Sequence, residues 1–166
     1  GLIRKFSSVS VRSIEDWAPG CEINGFLKLL SRSGANIGIT GGMEVGKPTL
    51  ARAFLADSDP TKNIRIIENG SFELNGRLYL PGRNVSSYKI SENASEAEVL
   101  EFVRKTTGHV FSIGELNSLG MANTLCNLSK FVPQILWTSH HNSTDEMVAD
   151  FKNGKIANGF SSERLA

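Results

Sequence analysis

GGMEVGKPTL, residues 41–50, has the glycine spacing and the lysine of a phosphate-binding loop. Such a loop uses glycines so that backbone amides can turn around an anion, a lysine for the outer phosphates, and a Ser or Thr hydroxyl for magnesium. Gly41, Gly46 and Lys47 meet the first two needs, but Pro48 stands where the hydroxyl is expected. The stretch therefore predicts a phosphate site that lacks its usual metal ligand. The alternative is a Gly-rich turn whose lysine is simply solvated.

The segments beside the loop predict a strand before it and a helix after it, as a phosphate-binding loop requires. NIGIT at 36–40 is apolar enough for a strand, and PTLARAFLAD places Leu50 and Phe54 one helical turn apart. Pro48 suits the first helical turn, although it removes one backbone donor that would face a phosphate. Thr49 cannot simply replace the lost hydroxyl, because the next residue of a helix points about 100° away.

Further strands and helices alternate along the chain, which is typical of a parallel sheet with helices on both faces. Strands are predicted at IRIIE (64–68), HVFSIGE and QILWT, and SLGMANTLCNLSK is weakly helical. An amphipathic helix from Glu22 to Gly34 is predicted to have this apolar face: Ile23, Phe26, Leu27 and Leu30. Two capping boxes predict the starts of two later helices: Ser95 with Glu98, and Ser143 with Glu146.

FELNGRLYL, residues 72–80, predicts a β-hairpin inserted into this alternation. Its apolar residues alternate around Asn75-Gly76, and an Asn-Gly pair between alternating apolar residues is a strong short-range hairpin signal. The expected architecture is therefore an α/β domain with a mostly parallel sheet, helices on both faces and one hairpin insertion.

Polar side chains follow the predicted strands, at the edge where ligands of parallel sheets gather. They lie at four places: the loop after Thr40, Glu68, Gly114-Glu115, and residues 138–142. An acid at Glu115 could serve the magnesium shell or position an attacking water, although an isolated Glu at a strand end is usually an exposed charge. His140 and His141 have no third ligand at metal spacing, so a phosphate contact or surface exposure is favoured over zinc.

The composition fits one globular domain, because 166 residues are enough for a sizeable core. A net charge of +1 gives no electrostatic reason to expect direct nucleic acid or membrane binding. Cys21 and Cys126 lack metal-site spacing and are expected to be reduced. No apolar run approaches the roughly 20 residues of a membrane helix, and the polar N-terminus does not resemble a secretory signal. A cytoplasmic location is therefore expected.

Four motifs in the same order resemble those of the secretion and traffic ATPases of type II and type IV secretion systems. The resemblance is greatest to the branch that serves tight-adherence pili and conjugation. That family shows GGTGSGKTTL, IEDTPEL, GEVR and TIHANS where this chain has GGMEVGKPTL, IENGSFEL, GELN and TSHHNS. Upstream, IRKF at 3–6 is similar to the entry of the family's C-terminal motor domain. The resemblance implies a RecA-like P-loop ATPase core at 13–166, with 1–12 as a linker from an N-terminal domain missing from this sequence.

The resemblance also implies the roles of individual residues toward ATP and Mg²⁺. The residues implied to line the phosphates are Gly41, Gly42, Gly46, Lys47 and Thr49. Lys47, Glu115 and His140 are implied to act in catalysis, with Glu115 positioning water or magnesium and His140 as the sensor. Oxygen ligands for the metal are implied at Thr49, Glu68 and Glu115, and Glu73 is a further remnant of the acidic box. The chain departs from the family pattern at Glu44, Val45, Pro48, Asn69 and Asn117.

The resemblance implies a motor that couples ATP hydrolysis to movement in a ring, expected to be a hexamer, and powers export or pilus assembly. Its expected partners are further copies of itself and the inner-membrane machinery, to which it would bind peripherally. A neighbouring subunit or domain would complete the site with an arginine, for which Arg4, Arg12 and Arg83 all stay open. The alternative is a catalytically silent relative that acts as a structural or regulatory module. A GTPase is disfavoured because the sequence has no NKxD motif.

Overall fold

A computed structural model of the protein describes residues 11–17, 20, 22–69, 74–91, 95–116 and 125–152. The helices are α1 (Ile23–Ser33), α2 (Lys47–Asp57), α3 (Gly76–Tyr79), α4 (Glu96–Arg104) and α5 (Thr144–Lys152). Residues 125–128 are also helical, and a short 3-10 turn spans Ile14–Asp16. The strands are β1 (Ile37–Thr40), β2 (Ile64–Asn69), β3 (Val85–Ile90), β4 (Val110–Ile113) and β5 (Gln134–Ser139).

The strands form one sheet in the order β1-β5-β4-β2-β3, and every pairing within the described residues is parallel. β1 pairs with β5 from Ile37↔Leu136 to Thr40↔Ser139. Because the strands are parallel, all their carboxyl ends lie at one edge. The α/β architecture with a parallel sheet is therefore confirmed, and that edge collects the segments that follow β1, β2, β4 and β5.

Helices cover both faces of the sheet. Alternate residues of the inner strands point to opposite sides, and the apolar side chains on each side pack against a helix. On one face, strand residues such as Ile67, Phe111 and Ile135 pack against Val99 and Val103 of α4. On the other face the strands and α2 share a second hydrophobic cluster: Ile39, Ile64, Ile66, Leu136, Ala51, Phe54 and Leu55. The predicted two-sided coverage is confirmed.

The bounds predicted for α1 are confirmed, but its apolar face is only half correct. The helix ends at Gly34, whose φ of +79° gives the left-handed end that glycine favours. Leu27 and Leu30 pack against the second cluster, whereas the side chains of Ile23 and Phe26 are 49% and 58% exposed. The reason is that α1 packs mainly against α2 and the 3-10 turn, a contact narrower than the face of a sheet.

The hairpin predicted at residues 72–80 is wrong. Asn75 and Gly76 open the one-turn helix α3, which leads into β3, and β3 pairs with β2 in parallel. A Cβ on Gly76 would lie 2.3 Å from Cγ1 of Val85 and 2.8 Å from Cδ1 of Ile66, so the glycine permits a close approach to the sheet. An Asn-Gly pair is compatible with a tight crossover as well as with a hairpin turn, so the pair alone did not distinguish the two. Residues 72 and 73 lie outside the described part of the chain.

Both predicted capping residues start helices. Ser95 Oγ accepts from the N–H of Glu98 at 3.4 Å, and Glu98 accepts in return from the N–H of Ser95 at 2.9 Å. Ser143 Oγ accepts from the N–H of Glu146 at 3.1 Å, while the carboxylate of Glu146 accepts from the N–H of Asn142. In the second capping box, the Glu carboxylate therefore binds the N–H of the residue before the cap instead of the N–H of the cap itself. Most of the weakly helical stretch SLGMANTLCNLSK, its residues 118–124, lies outside the described residues.

Candidate functional site

An open cleft of about 470 Å³ lies at the carboxyl edge of the sheet. Its walls come from the loop after β1, the first turns of α2, the residue pair after β4 and the end of β5. Lys47, Glu115 and His140 all line it, together with Gly46 and Thr49 of the loop and helix. The fold therefore brings together the three residues for which the sequence predicted a shared role.

The loop enters α2 through a left-handed residue. Gly46 has φ +87° and precedes the first helical residue, and its carbonyl accepts from the N–H of Leu50 at 3.0 Å. The indole of Trp17 lies against it, with Cη2 3.4 Å from the place a Cβ on Gly46 would take. Glu44 is also left-handed, with φ +58°, and it lines the cleft with its side chain exposed. In the family form GGTGSGKTTL this position is a glycine.

Lys47 is folded over its own loop and is only 5% exposed. Its Nζ donates to the carbonyls of Gly41 at 2.9 Å and Gly42 at 2.6 Å, and lies 3.0 Å from Nδ1 of His140. An ammonium has three N–H donors and no acceptor. Nδ1 of His140 must therefore accept, which assigns the imidazole proton to Nε2.

His140 connects the lysine to the acid. Its Nε2 lies 2.8 Å from Oε1 of Glu115, so the tautomer set by Lys47 donates to the carboxylate. The side chains of His140 and Glu115 are 41% and 28% exposed, which leaves the connection open to the cleft. Lys47, His140 and Glu115 form one hydrogen-bonded chain across the candidate site.

Backbone contacts between strand ends hold Glu115 in place. The N–H of Gly114 donates to the carbonyl of Ile67 at 2.9 Å, and the N–H of Leu116 donates to the carbonyl of Thr138 at 2.7 Å. The hydroxyl of Thr138 donates back to the carbonyl of Gly114. The acid is therefore fixed between the ends of β2 and β5 on both sides.

Glu68, a predicted metal ligand, does not line the cleft. Its side chain is 1% exposed, and Oε1 accepts from the N–H groups of Leu74 at 2.6 Å and Asn75 at 3.4 Å. In these contacts it ties the chain before α3 to the end of β2. Thr49 and Glu115, the other two predicted ligands, both line the cleft. Glu73 and Asn117 lie outside the described residues.

Two other candidates have structural contacts. His141 is buried, with Nδ1 3.2 Å from Ser139 Oγ and Nε2 3.6 Å from Oδ2 of Asp150. The guanidinium of Arg83 donates to the carbonyl of Ala56 in the last turn of α2 and to those of Ser58 and Asp59 just beyond it. Burial lowers the pKa of Arg83, an effect that the nearby Asp59 opposes. Of the other arginine candidates, Arg12 is exposed and residue 4 is not described.

Sequence reasoning missed Arg52. It lies on α2 and lines the cleft, and its guanidinium carbon is 3.8 Å from the centre of the Tyr79 ring on α3. Its spacing of four residues from Pro48 was a usable signal, because residues i and i+4 share one face of a helix. The cleft thus carries two cations, Lys47 and Arg52, beside the carboxylates of Glu44 and Glu115.

A parallel sheet, a glycine loop between β1 and α2, and an acid that follows β4 together define an α/β fold whose candidate site lies at the carboxyl edge of the sheet. A scan against protein-family models and a search of curated proteins found no match. Two of the solved structures that this chain matches are similar along most of its length.

The first is the VirB11 ATPase from the type IV secretion system of Brucella suis, solved in complex with sulphate. It has a TM-score of 0.58 and 18% identity, over 78% of this chain and 36% of that one. The second is the ATPase DotB of Legionella pneumophila, with a TM-score of 0.68 and 15% identity, over 94% of this chain and 42% of that one. The match therefore spans less than half of either protein, and it confirms the fold that the motifs indicated.

Proposed function

We propose that the chain is an ATP-binding motor domain of the secretion ATPase type, with the nucleotide phosphates in the cleft beside Lys47. The observation that carries this proposal is the meeting of Lys47, His140 and Glu115 in one cleft at the carboxyl edge. The similarity in fold to the VirB11 ATPase of a type IV secretion system and to the ATPase DotB supports it. The activity, the substrates and the partners of the whole protein belong to the same proposal.

Phosphates would take over the contacts that Lys47 now makes inside the protein. Its present acceptors are two carbonyls and a neutral imidazole. A phosphate oxygen is a stronger acceptor, because hydrogen bonds between two charged groups are shorter and stronger than those to neutral groups. The amides at the start of α2 and the helix dipole add to the attraction for an anion. Lys47 is thus held in place before the ligand arrives.

For hydrolysis, Glu115 would orient the water that attacks the outer phosphate, which yields ADP and inorganic phosphate. The contacts of Gly114 and Leu116 fix the backbone on either side of this carboxylate. His140, on leaving Lys47, would donate its Nε2–H to the outer phosphate as the sensor. Catalysis of this kind depends on positioning and electrostatics, so small displacements of these groups would matter.

Magnesium usually accompanies ATP at such sites, and the residues present can be compared with its needs. Thr49 and Glu115 line the cleft, whereas Glu68 faces backbone N–H groups elsewhere. Pro48 offers neither a hydroxyl nor an amide hydrogen at the usual ligand position. The oxygen donors near the loop therefore do not fit a magnesium ion held there. In the proposed function, the cationic side chains of the protein neutralise the charge of the phosphates.

In the wider assembly, the domain would act in a ring, expected to be a hexamer, at the cytoplasmic side of an inner-membrane export or pilus machine. No helix in the described part of the chain is long and apolar enough to cross a membrane. Arg12 is the described, exposed candidate for an arginine that completes a neighbouring site. Direct nucleic acid binding is not part of this proposal.

A second candidate function is a catalytically silent module that retains the fold. Pro48 favours it, because this residue removes both a donor and a hydroxyl from the loop. Such a module would bind ATP weakly or not at all and would not release phosphate. The two functions therefore differ in nucleotide affinity and in turnover.

Calorimetric titration of the purified chain with ATP tests the proposal. We expect binding that Lys47→Ala abolishes and Lys130→Ala leaves unchanged, because Lys130 is an exposed lysine that does not line the cleft. Circular dichroism would check that both variants keep the fold. Equal binding by the Lys47→Ala variant would exclude the loop as the site, and undetectable binding to the unchanged chain would favour the silent module.

A further inference from the structure

We infer that Arg52 binds the phosphates of the nucleotide and supplies the positive charge that a loop-held magnesium ion would otherwise supply. The inference rests on the proposed function, because it assigns a new residue to the same cleft. Its consequence is that ATP binds in the absence of magnesium. Three features of the structure carry it: the position of Arg52, its stacking, and the donor set around the loop.

The position of Arg52 follows from the helix. Pro48 and Arg52 are four residues apart on α2, so they share a face, and both line the cleft. Side chains of a helix lean toward its N-terminus. The guanidinium of Arg52 therefore extends toward the turn where Pro48 replaces the hydroxyl. That turn is next to Lys47, which would hold the outer phosphates.

Stacking on Tyr79 fixes the orientation of this side chain. The guanidinium carbon lies 3.8 Å from the centre of the ring, within the range of a cation–π contact. A guanidinium stacked through its face presents its N–H groups around its edge, where they can meet two phosphate oxygens at once. Tyr79 belongs to α3, so the crossover between β2 and β3 has a direct role in the site.

The donor set around the loop explains why a protein cation is needed. The hydroxyl is lost at Pro48, and Thr49 points about 100° away from it on the helix. Glu115 already accepts from His140 at 2.8 Å, and Glu68 accepts from the N–H of Leu74 at 2.6 Å. Without a second cation, Lys47 alone would face the charge of the nucleotide phosphates. Among the described residues that line the cleft, Arg52 is the lysine or arginine besides Lys47.

Calorimetry with two probes, ATP and inorganic tripolyphosphate, tests this inference in EDTA and in magnesium. We expect the unchanged chain to bind ATP with affinities that differ by less than about threefold between the two conditions, far below the tenfold change that about 1.4 kcal/mol produces. Arg52→Ala should weaken both probes in both conditions by roughly tenfold or more, the value of a charged hydrogen bond. Arg52→Lys should lose less, because it keeps the charge but not the two-pronged geometry.

Arg104→Ala is the matched control. Arg104 also stacks on an aromatic ring, at 5.1 Å from the centre of Phe131, but it does not line the cleft. Its removal should leave both affinities unchanged. Arg52→Gln, which keeps the length of the side chain, provides a second variant should Arg52→Ala fail to fold, and circular dichroism would check each protein.

Two results would overturn the inference in different ways. Magnesium-dependent ATP binding that Arg52→Ala and Arg52→Gln leave intact would remove Arg52 and retain the proposed function. Absence of ATP binding to the unchanged chain in both conditions would remove the proposed function and the inference together. Loss of tripolyphosphate affinity in the Arg52 variants but not in Arg104→Ala would support the assignment to phosphate rather than to the base or the sugar.

Discussion

Pro48 separates two properties that phosphate-binding loops usually combine, the cradle of amides and the hydroxyl for the metal. The chain has the left-handed Gly46 and a buried Lys47 in their expected places. Pro48 therefore lacks a hydroxyl and an amide hydrogen in a loop that has both of these residues in place. A single substitution at position 48 can test whether the metal ligand is all that the loop lacks for binding magnesium with ATP.

Pro48→Thr should make ATP binding depend on magnesium. The new hydroxyl can reach an ion beside the phosphates, and we expect magnesium to raise the affinity by roughly tenfold, which corresponds to about 1.4 kcal/mol. Pro48→Ala is the control, because it restores the N–H but brings no hydroxyl. Calorimetry gives, for each variant, the ratio of the ATP affinity in magnesium to the ATP affinity in EDTA. An equal ratio in the two would show that the hydroxyl is not the limiting group.

Glu44 carries a charge and a backbone conformation that can be tested separately. Its φ of +58° is left-handed, which costs a residue with a Cβ roughly 1–2 kcal/mol, whereas glycine adds about 0.5–1 kcal/mol of unfolded-chain entropy. Glu44→Gly should therefore raise the free energy of unfolding by roughly 0.5–1 kcal/mol. Glu44→Gln should leave it unchanged, since the Cβ remains.

Both variants should bind ATP more tightly than the unchanged chain, because each removes a carboxylate from a cleft that holds an anion. Urea denaturation and calorimetry give the two quantities. A gain in stability with Glu44→Gln, or a gain in affinity with Glu44→Gly alone, would contradict this separation of charge from backbone.

Sequence patterns grouped three residues of the candidate cleft but not all of the residues that line it. Lys47, Glu115 and His140 follow separate strands, and the rule that parallel strands end at one edge was enough to group them. The same rule also grouped Glu68, whose side chain turns instead to the backbone N–H of Leu74. The position of a residue at a strand end does not fix which way its side chain points. Arg52 was missed because it lies on α2 just past the end of the loop motif, whose pattern specifies no residue at that position.

At the level of elements, α3 and its tight approach to the sheet account for the wrong hairpin. Residues 74–80 have apolar residues at alternate positions, yet Leu74 and Leu80 are buried while Leu78 is exposed. Alternation over so few residues fits a one-turn helix as well as a strand. Elements with longer patterns, such as α1 and α2, and the apolar strands β2, β4 and β5 were predicted correctly.

Gly76→Ala should destabilise the crossover. The added Cβ would meet Val85 at 2.3 Å and Ile66 at 2.8 Å, and overpacking of this kind costs about 1–3 kcal/mol. Gly25→Ala is the control, because a Cβ there meets no atom within 4 Å on the exposed side of α1. The control should gain about 0.5–1 kcal/mol from helix propensity. Thermal unfolding of the Gly76→Ala and Gly25→Ala variants measures the two effects. Equal stabilities of the two variants would contradict the close packing of α3.

Acid should destabilise the protein through its capping and turn carboxylates. Hydrogen bonds from neighbouring residues lower the pKa of four carboxyl groups in the folded protein, below ordinary values of 3.8 for Asp and 4.5 for Glu: Asp16, Asp59, Glu98 and Glu101. Such groups contribute stability that is fully present above the unfolded pKa and is lost as the pH falls through the folded pKa. The free energy of unfolding should therefore fall below a pH of about 4.

Ser95→Ala tests how much the N-cap of α4 contributes to the stability of the protein and to its loss in acid. The side chain of Ser95 is the main cause of the lowered pKa of Glu98, so its removal should make the fall in stability with acid less steep. It should also lower stability at neutral pH by roughly 1 kcal/mol, the usual effect of losing an N-cap. Urea denaturation at pH 7 and at pH 3 measures both, and an unchanged pH dependence would contradict a role for this cap.

For the molecule as a whole, ATP binding and folding should be linked. The cleft is built from the loop after β1, the start of α2, Glu115 after β4 and the end of β5, which meet only in the folded sheet. At a ligand concentration of 100 times Kd, binding adds about 2.7 kcal/mol, which is a rise in Tm of roughly 5–10 °C for a chain of this length. Differential scanning calorimetry measures the shift. A similar rise in Lys47→Ala would mean that ATP stabilises the protein from another surface.

The contact between Trp17 and Gly46 gives the protein an optical probe of its own loop. The chain has two tryptophans, and the ring of Trp17 lies beside the residue through which the loop enters α2. The other, Trp137, is on β5 and packs against the first cluster. A phosphate that draws the loop amides inward would alter the surroundings of one fluorophore and leave the other as an internal reference. Emission from an unlabelled sample could therefore report loop closure in real time, with Trp17→Phe as the silent counterpart.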